Sequence, residues 1–151
     1  DWEIAFRGSE APNVAVFREQ VATLKELLAT ATPDEAQQKD IDFLMAIGSL
    51  FTLVVYGQLV LEGAARDGAA DAVAVDTDTV DEIFGVLVHD FSEAAVALHG
   101  KPSASDAQGA LCLQMVKKPA FDQARYDRVW HTVLGLSGAY ELAWVGTGAA
   151  V

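Results

Sequence analysis

The amino-acid sequence predicts an all-α fold, an antiparallel bundle of about five helices built around one long, buried central helix. Three observations carry that expectation. Apolar residues recur at three- and four-residue spacing in successive stretches, and no run alternates with a period of two strongly enough to suggest a sheet. Alanine is abundant, and the four prolines sit in loops or first helical turns. The run Phe43–Leu61 contains 19 residues and no charge, so its apolar surface needs neighbours on several sides.

The elements follow in order. Residues 1–9 form an N-terminal arm with Trp2, Ile4 and Phe6 in alternation. A first helix runs from about Ala11 to Thr30, with Ser9 as candidate cap and Pro12 near its first turn. Its stripe is Val14, Phe17, Val21, Leu24 and Leu28, with Arg18, Glu19, Lys25 and Glu26 largely opposite. Thr32, Pro33, Asp34 and Glu35 read as a capping box that starts the long helix. That helix should continue to about Arg66, roughly 34 residues or about 50 Å at 1.5 Å per residue. After a short loop over Ala69–Val75, a third helix spans about Asp78 to His99. Its stripe is Val80, Phe84, Leu87, Phe91, Ala94 and Leu98, and Gly100 and Pro102 stop it. A fourth helix covers about Ser105 to Lys117, with Lys117 and Lys118 at its negative end. A fifth runs from about Phe121 to Tyr140 or beyond, and Gly135–Gly138 marks an interruption or a close packing point. The bundle thus occupies 10–145, and a tail over 146–151 should fray.

Length and composition agree with one helical domain. The chain has 151 residues, 52% of them hydrophobic and 21% charged, enough apolar surface to offset the entropy of folding. Ten basic and 22 acidic residues leave a net charge of −12, which argues against nucleic acid and against anionic lipid as partners. Asp67, Asp71, Asp76, Asp78, Asp81 and Glu82 crowd one connection. They read as a solvated face and a helix N-terminus, because neither the ligand spacing nor the turn glycine of a calcium loop is present. The single cysteine, Cys112, sits among Leu111, Leu113 and Met115 and reads as a buried structural thiol. The chain starts at Asp1, with no methionine and no basic-then-apolar leader. It is therefore expected to carry no secretory signal and to be cytoplasmic, and such a start fits a fragment of a longer protein as well as a separate subunit.

Phe43–Leu61 is also close to the length that spans a bilayer. Gly48, Ser49, Thr52, Gly57 and Gln58 dilute its hydrophobicity, and its flanks are Asp42 and Glu62 rather than basic or aromatic anchors. The run therefore reads as a core helix, and stable membrane insertion is not expected.

No complete catalytic constellation stands out. His89, His99 and His131 are far apart in sequence, and no metal-ligand spacing is present. His89 precedes Asp90, but adjacent helical residues diverge by about 100°. Two polar clusters remain as candidate contacts. Tyr56 and Gln58 lie inside the apolar run and should hydrogen-bond across helices, with ligand contact as the alternative. Arg125, Tyr126, Asp127, Arg128, Val129, Trp130 and His131 compress cation, aromatic and acid into two turns. Salt bridging between helices or domains is the first reading there, and recognition of an anion the second.

One resemblance goes further. Phe43–Glu62 (FLMAIGSLFTLVVYGQLVLE), His89–Ser92 (HDFS) and Leu98–Lys101 (LHGK) resemble, in order and spacing, the extra C-terminal helical region of certain bacterial acyl-CoA dehydrogenases. Met115–Pro119 (MVKKP), Ala124–Trp130 (ARYDRVW) and Leu136–Glu141 (LSGAYE) are similar to the end of that region. The likeness covers about residues 10 to 142. It implies a parent flavoenzyme whose catalytic body binds FAD and acyl-CoA and carries out α,β-desaturation in fatty acid oxidation. This chain would be a non-catalytic accessory domain, without a catalytic base or an FAD of its own. It would pack on the catalytic domains of the parent and in a homo-oligomer. Two readings compete with it, a free-standing bundle with an apolar or acyl ligand in an enclosed pocket near Tyr56, and a peripheral membrane module.

Overall fold

The computed structural model describes residues 11–66 and 75–138. Among them are five α-helices and one 3-10 turn, and no strand. Helix α1 is Pro12–Thr30, the 3-10 turn is Gln37–Lys39, α2 is Ile41–Arg66, α3 is Thr77–His99, α4 is Asp106–Gln114 and α5 is Gln123–Gly135. The protein is an antiparallel all-α bundle. The expected arm over 1–9, its candidate cap Ser9, the loop over 67–74 and the segment from 139 onward lie outside the described residues.

Helix α1 receives no side-chain cap from Ala11. Its cap arrives from α3, where Asp81 Oδ1 accepts the Asn13 backbone N–H at 2.7 Å. A buried carboxylate thus answers both an orphan amide and the positive end of the helix. Val14, Phe17, Val21, Leu24 and Leu27 are buried along α1, and Leu28 is only partly covered.

The long helix starts later than the sequence predicts. The expected capping box at Thr32–Glu35 does not form, and Thr32 Oγ1 donates back to the Leu28 carbonyl. The reciprocal pair lies further on: the Asp34 N–H donates to Gln37 Oε1 and the Gln37 N–H donates to Asp34 Oδ1. This closes the 3-10 turn. Asp40 then caps α2, its Oδ1 accepting from the N–H groups of Asp42 at 3.0 Å and Phe43 at 3.2 Å. Short acidic side chains compete for backbone amides and divide the chain where a continuous helix was expected. Gln37 fixes the break. Its buried amide exchanges hydrogen bonds with Gln108 and donates to the Ser103 carbonyl, tying the turn to the start of α4. Helix α2 has 26 residues, about 39 Å rather than about 50 Å.

Helix α3 is the hub and touches every other helix. Asp76 caps it by accepting the Thr79 N–H at 2.6 Å. Val80, Phe84, Leu87, Phe91 and Leu98 are buried as the spacing predicts, with Ala95 rather than Ala94 completing the stripe. Phe17 of α1 sits edge-on to Phe84 and Phe91, with ring centroids 5.3 and 5.4 Å apart, the arrangement aromatic quadrupoles favour. Gly57 lets α2 close on this group, since a Cβ there would lie 3.0 Å from Phe17 Cε1.

Ser105 and Gln108 form a complete capping box at the start of α4. The helix stops at Gln114, short of the expected Lys117, because Ser92 Oγ accepts the Lys117 N–H and Gln20 Nε2 donates to the Met115 carbonyl. Helix α5 is capped by Asp122 and ends at Gly135. Gly138 adopts φ 84°, a left-handed conformation that suits glycine. The described helix thus ends where the sequence suggests an interruption or a close packing point, at Gly135–Gly138.

Burial of α2 departs most from expectation. Phe43, Ala46, Ile47, Leu50, Gly57 and Leu61 face the bundle and are buried. Ile41, Leu44, Met45, Phe51, Val55, Tyr56 and Leu59 are exposed. The run is apolar all round, but among the described residues neighbours cover one side only.

Candidate functional site

The Arg125 cluster is a structural junction. Arg125 is 7% exposed and reaches Asp81 Oδ2 through Nη1 at 2.6 Å, Glu82 Oε1 through Nε at 2.7 Å and the Ala120 carbonyl through Nη2 at 2.8 Å. Burial alone pulls its pKa down, but the Glu82 hydrogen bond and the charges of Asp81, Glu82 and Asp122 outweigh that and raise it. Asn13 completes the junction. Its Nδ2 donates to Asp81 and to the Ala120 carbonyl, and its Oδ1 accepts the Ala120 N–H at 2.7 Å. Three helices and the 119–121 loop therefore meet at one buried polar knot. Arg128 binds Asp78 Oδ2 at 2.6 Å, which holds the Asp78 carboxyl below its ordinary range.

The acidic stretch is the helix N-terminus that the sequence suggests, with Asp76 capping α3 and Asp78 in its first turn. It is not only a solvated face, because Asp78 holds Arg128 and Asp81 and Glu82 hold Arg125. Asp67 and Asp71 lie outside the described residues. Arg125 is committed on all three of its nitrogens, to Asp81, Glu82 and the Ala120 carbonyl, and is a salt bridge between helices. Arg128 meets Asp78 through Nε alone, and its side chain is 60% exposed.

Among the described residues, Tyr56 and Gln58 make no hydrogen bond to another helix. Tyr56 is 54% exposed on the outer face of α2. Gln58 Nε2 donates to Glu62 Oε1 one turn along the same helix, at 2.7 Å. The concavity beside Tyr56, about 360 Å³ between Phe51, Val55 and Leu59, is an open depression on α2 and not an enclosed pocket.

His89 comes closer to a ligand set than the divergence argument allowed. Its Nδ1 lies 3.5 Å from Asp90 Oδ1 and its Nε2 lies 3.8 Å from Glu93 Oε1. The i+4 carboxylate supplies the partner that an adjacent pair alone lacks. His89 and Glu93 are exposed, Asp90 is half-buried, and all three stand on α3. Cys112 is fully buried, and that burial pushes its thiol up to about 11.

Several buried polar residues gave no functional signal in sequence. Asn13 and Gln20 sit in phase with the apolar stripe of α1, and Gln37, Gln108 and Ser92 join them inside. Gln20 Nε2 reaches the Val88 and Met115 carbonyls and Ser92 Oγ. A polar residue at a core-phase position is the trace such bonds leave in a sequence.

Two apolar surfaces remain. The first is the outer face of α2, with Ile41 76% and Met45 67% exposed. By length and composition alone this helix could cross a membrane, and 28% of its most apolar window is buried. The second is α5, whose one buried residue is Arg125. Phe121, Tyr126 and Trp130 form an aromatic ladder along it. Tyr126 and Trp130 stack at 6.5 Å with planes 5° apart, and Phe121 lies 6.3 Å from Tyr126. Phe121 is 72% exposed, and Val133 and Leu134 continue the exposed surface.

Fold and surface define a class, an acidic all-α bundle pinned by buried polar knots, with two apolar faces exposed among the described residues. No protein-family model matches the chain, and neither does any curated protein or solved structure.

Proposed function

We propose that this chain is a non-catalytic accessory domain of an FAD-dependent acyl-CoA dehydrogenase, packing against the flavin-bearing catalytic body through the aromatic ladder of α5. The observation that carries the packing role is α5 itself. Its first two turns are locked to α3 through Arg125 and Arg128, while Tyr126, Trp130, Val133 and Leu134, with Phe121 just before the helix, are exposed. A rigidly held helix presenting aromatic anchors has the composition of a protein–protein hot spot. The parent enzyme is named by the residue order of the motifs alone.

The roles of those motif residues agree with an accessory domain. Ser92 of HDFS takes the Lys117 amide, Leu98 of LHGK is core, Lys101 holds Asp42, and Arg125 of ARYDRVW forms the polar knot. They maintain a fold rather than present a reacting group. In this reading the desaturation and the FAD belong to the catalytic body, and this chain supplies packing surface.

Expression of the whole reading frame that encodes the chain, beside the 151-residue chain alone, tests the proposal. The expected result is a flavoprotein that oxidises acyl-CoA for the full product and a colourless protein for the chain. Trp130→Ala with Tyr126→Ala should loosen the bundle from the catalytic body, read as faster proteolytic release. A stoichiometric flavin spectrum on the chain alone overturns the proposal, as does a reading frame that encodes no flavoprotein body.

A further inference from the structure

We infer that the outer face of α2 is a self-association surface, on which a second copy of this chain docks its own α2 antiparallel to the first. The inference is independent of the flavoenzyme reading.

Area is the first argument. Ile41, Leu44, Met45, Phe51, Val55, Tyr56 and Leu59 are between 42% and 76% exposed, which together amounts to on the order of 700 Å² of side-chain surface. That exceeds the largest apolar patch of a typical monomer, about 300–600 Å². It approaches the roughly 800 Å² per partner found in stable complexes.

Charge is the second. The chain carries −12 overall, so most ways of bringing two copies together set acid against acid. The outer face of α2 is an exception, being uncharged from Phe43 to Leu61, whereas the apolar surface of α5 has Asp122 and Asp127 beside it. At its ends, Asp42 is neutralised by Lys101 at 2.6 Å, and Glu62 accepts from Gln58. An anionic lipid surface has no such match. Asp90 and Glu93 border the groove that runs beside Ala46, Ser49 and Thr52, and they repel it.

Shape is the third. Gly48, Ser49 and Thr52 are small residues at the middle of the face, with Phe51 as the one large exposed side chain among them. A Cβ on Gly48 would meet nothing within 4 Å, so its backbone is open outward. Two such helices can approach closely at Gly48 and Thr52 and fit their bulky ends together. An antiparallel pair centred on position 50 sets Gly48 against Thr52, Phe51 against Ser49, Met45 against Val55, Leu44 against Tyr56 and Ile41 against Leu59 of the other copy. The same centring places Asp42 opposite Gln58 rather than opposite a carboxylate. An isologous contact of this kind closes on itself as a two-fold dimer.

Sedimentation velocity of the full chain over a concentration series tests this, with circular dichroism as the fold control. The expected species has twice the mass of the 16.1 kDa chain. Met45→Lys alone and Val55→Glu alone should each weaken association by roughly tenfold or more. The double variant should restore it, because each lysine then faces a glutamate of the other copy. Gly48→Leu should also yield monomer, by filling the crossing point in open space. A chain that stays monomeric at every concentration overturns the inference. If that monomer sediments with phosphatidylcholine vesicles, the face is a lipid surface instead. Dimers untouched by either single charge overturn it in favour of another interface, and failure of the double variant to recover overturns the antiparallel register.

Discussion

Asp81→Ala removes one side chain that serves two helices at once. In the folded protein its carboxylate caps α1 at the Asn13 N–H, 2.7 Å away, and pairs with Arg125 at 2.6 Å. Asp81 is 1% exposed, so water cannot replace either contact without rearrangement. Breaking a buried ion pair from one side costs about 3–5 kcal/mol, because the other charge stays behind unpaired. Glu82 still holds Arg125 Nε and softens that loss, while the missing helix cap adds about 1 kcal/mol. A net cost near 4 kcal/mol is a large share of the roughly 5–15 kcal/mol that a domain has. It should lower the melting temperature by about 10–15 °C for a chain this size. In urea, with a slope near 2 kcal/mol/M, the midpoint should fall by about 2 M. Asp81→Asn keeps an acceptor for the Asn13 N–H and loses only the charge, so it should lie between wild type and Asp81→Ala. Asp81→Asn with Arg125→Met should cost less than the sum of the two single changes, since it removes both buried charges. A midpoint shift below about 0.5 M for Asp81→Ala, at unchanged slope, refutes the idea that this knot holds the bundle together.

Two glycines of α2 should respond in opposite directions. Gly57→Val drives a side chain to within 3.0 Å of Phe17 and 3.3 Å of Phe84, and should destabilise by about 1–3 kcal/mol in urea titration. Gly63→Ala meets nothing within 4 Å and should stabilise by about 0.5–1 kcal/mol. Cys112 should resist a disulfide reagent at pH 8 in the native protein and react at once in denaturant. Its folded pKa of about 11 exceeds the ordinary 9.0, so the stability it contributes is complete below pH 9 and declines as pH rises toward 11. The acid limb has the opposite sign. Asp40 is held below its ordinary 3.8 by the Ser103 hydroxyl and the Phe43 N–H, Asp78 by Arg128, and Asp122 by the Arg125 N–H. Stability from these carboxylates is present above that pH and lost as pH falls below it, so urea midpoints should be flat from pH 7 to 5 and fall towards pH 3.

The helices were legible where one apolar stripe met one partner. The spacing of Val14, Phe17, Val21 and Leu24 on α1, and of Val80, Phe84, Leu87 and Phe91 on α3, describes the core those helices share. Helix starts were less legible, because caps need not be local. The local signal at Thr32–Glu35 lost to Asp34, which holds the amide of the buried Gln37, and to Asp40, which holds those of Asp42 and Phe43. Helix α1 takes its cap from a residue 68 positions away. No window along the chain contains that pair, and the acids that form it look from sequence like a charge run. The Arg125 segment was readable as a salt-bridging cluster because cations that close together need nearby carboxylates. Which carboxylates, and the part played by Asn13, emerged only from the packing of α1 on α3.

Helix α2 shows why hydrophobicity and burial are separate quantities. Positions 43, 47, 50, 57 and 61 repeat with the helical period and face α3, whereas 41, 45, 55 and 59 repeat with the same period on the opposite side. An uncharged run of this length satisfies both stripes at once, so composition cannot say how many neighbours the helix has. Only the supply of partner surface decides that. Helix α3 takes the inner stripe, and α1 reaches α2 at Gly57 through Phe17. Met45, Val55 and Leu59 remain in water although nothing in their chemistry suits them to it. A core-forming helix would relax its outer stripe to polar residues at little cost, as α1 does with Arg18, Glu19 and Glu26. Helix α2 keeps its outer stripe apolar beside the acids Asp42, Asp90 and Glu93. That pattern suits a surface shaped to meet another apolar surface, and the small residues at its centre suit a copy of itself.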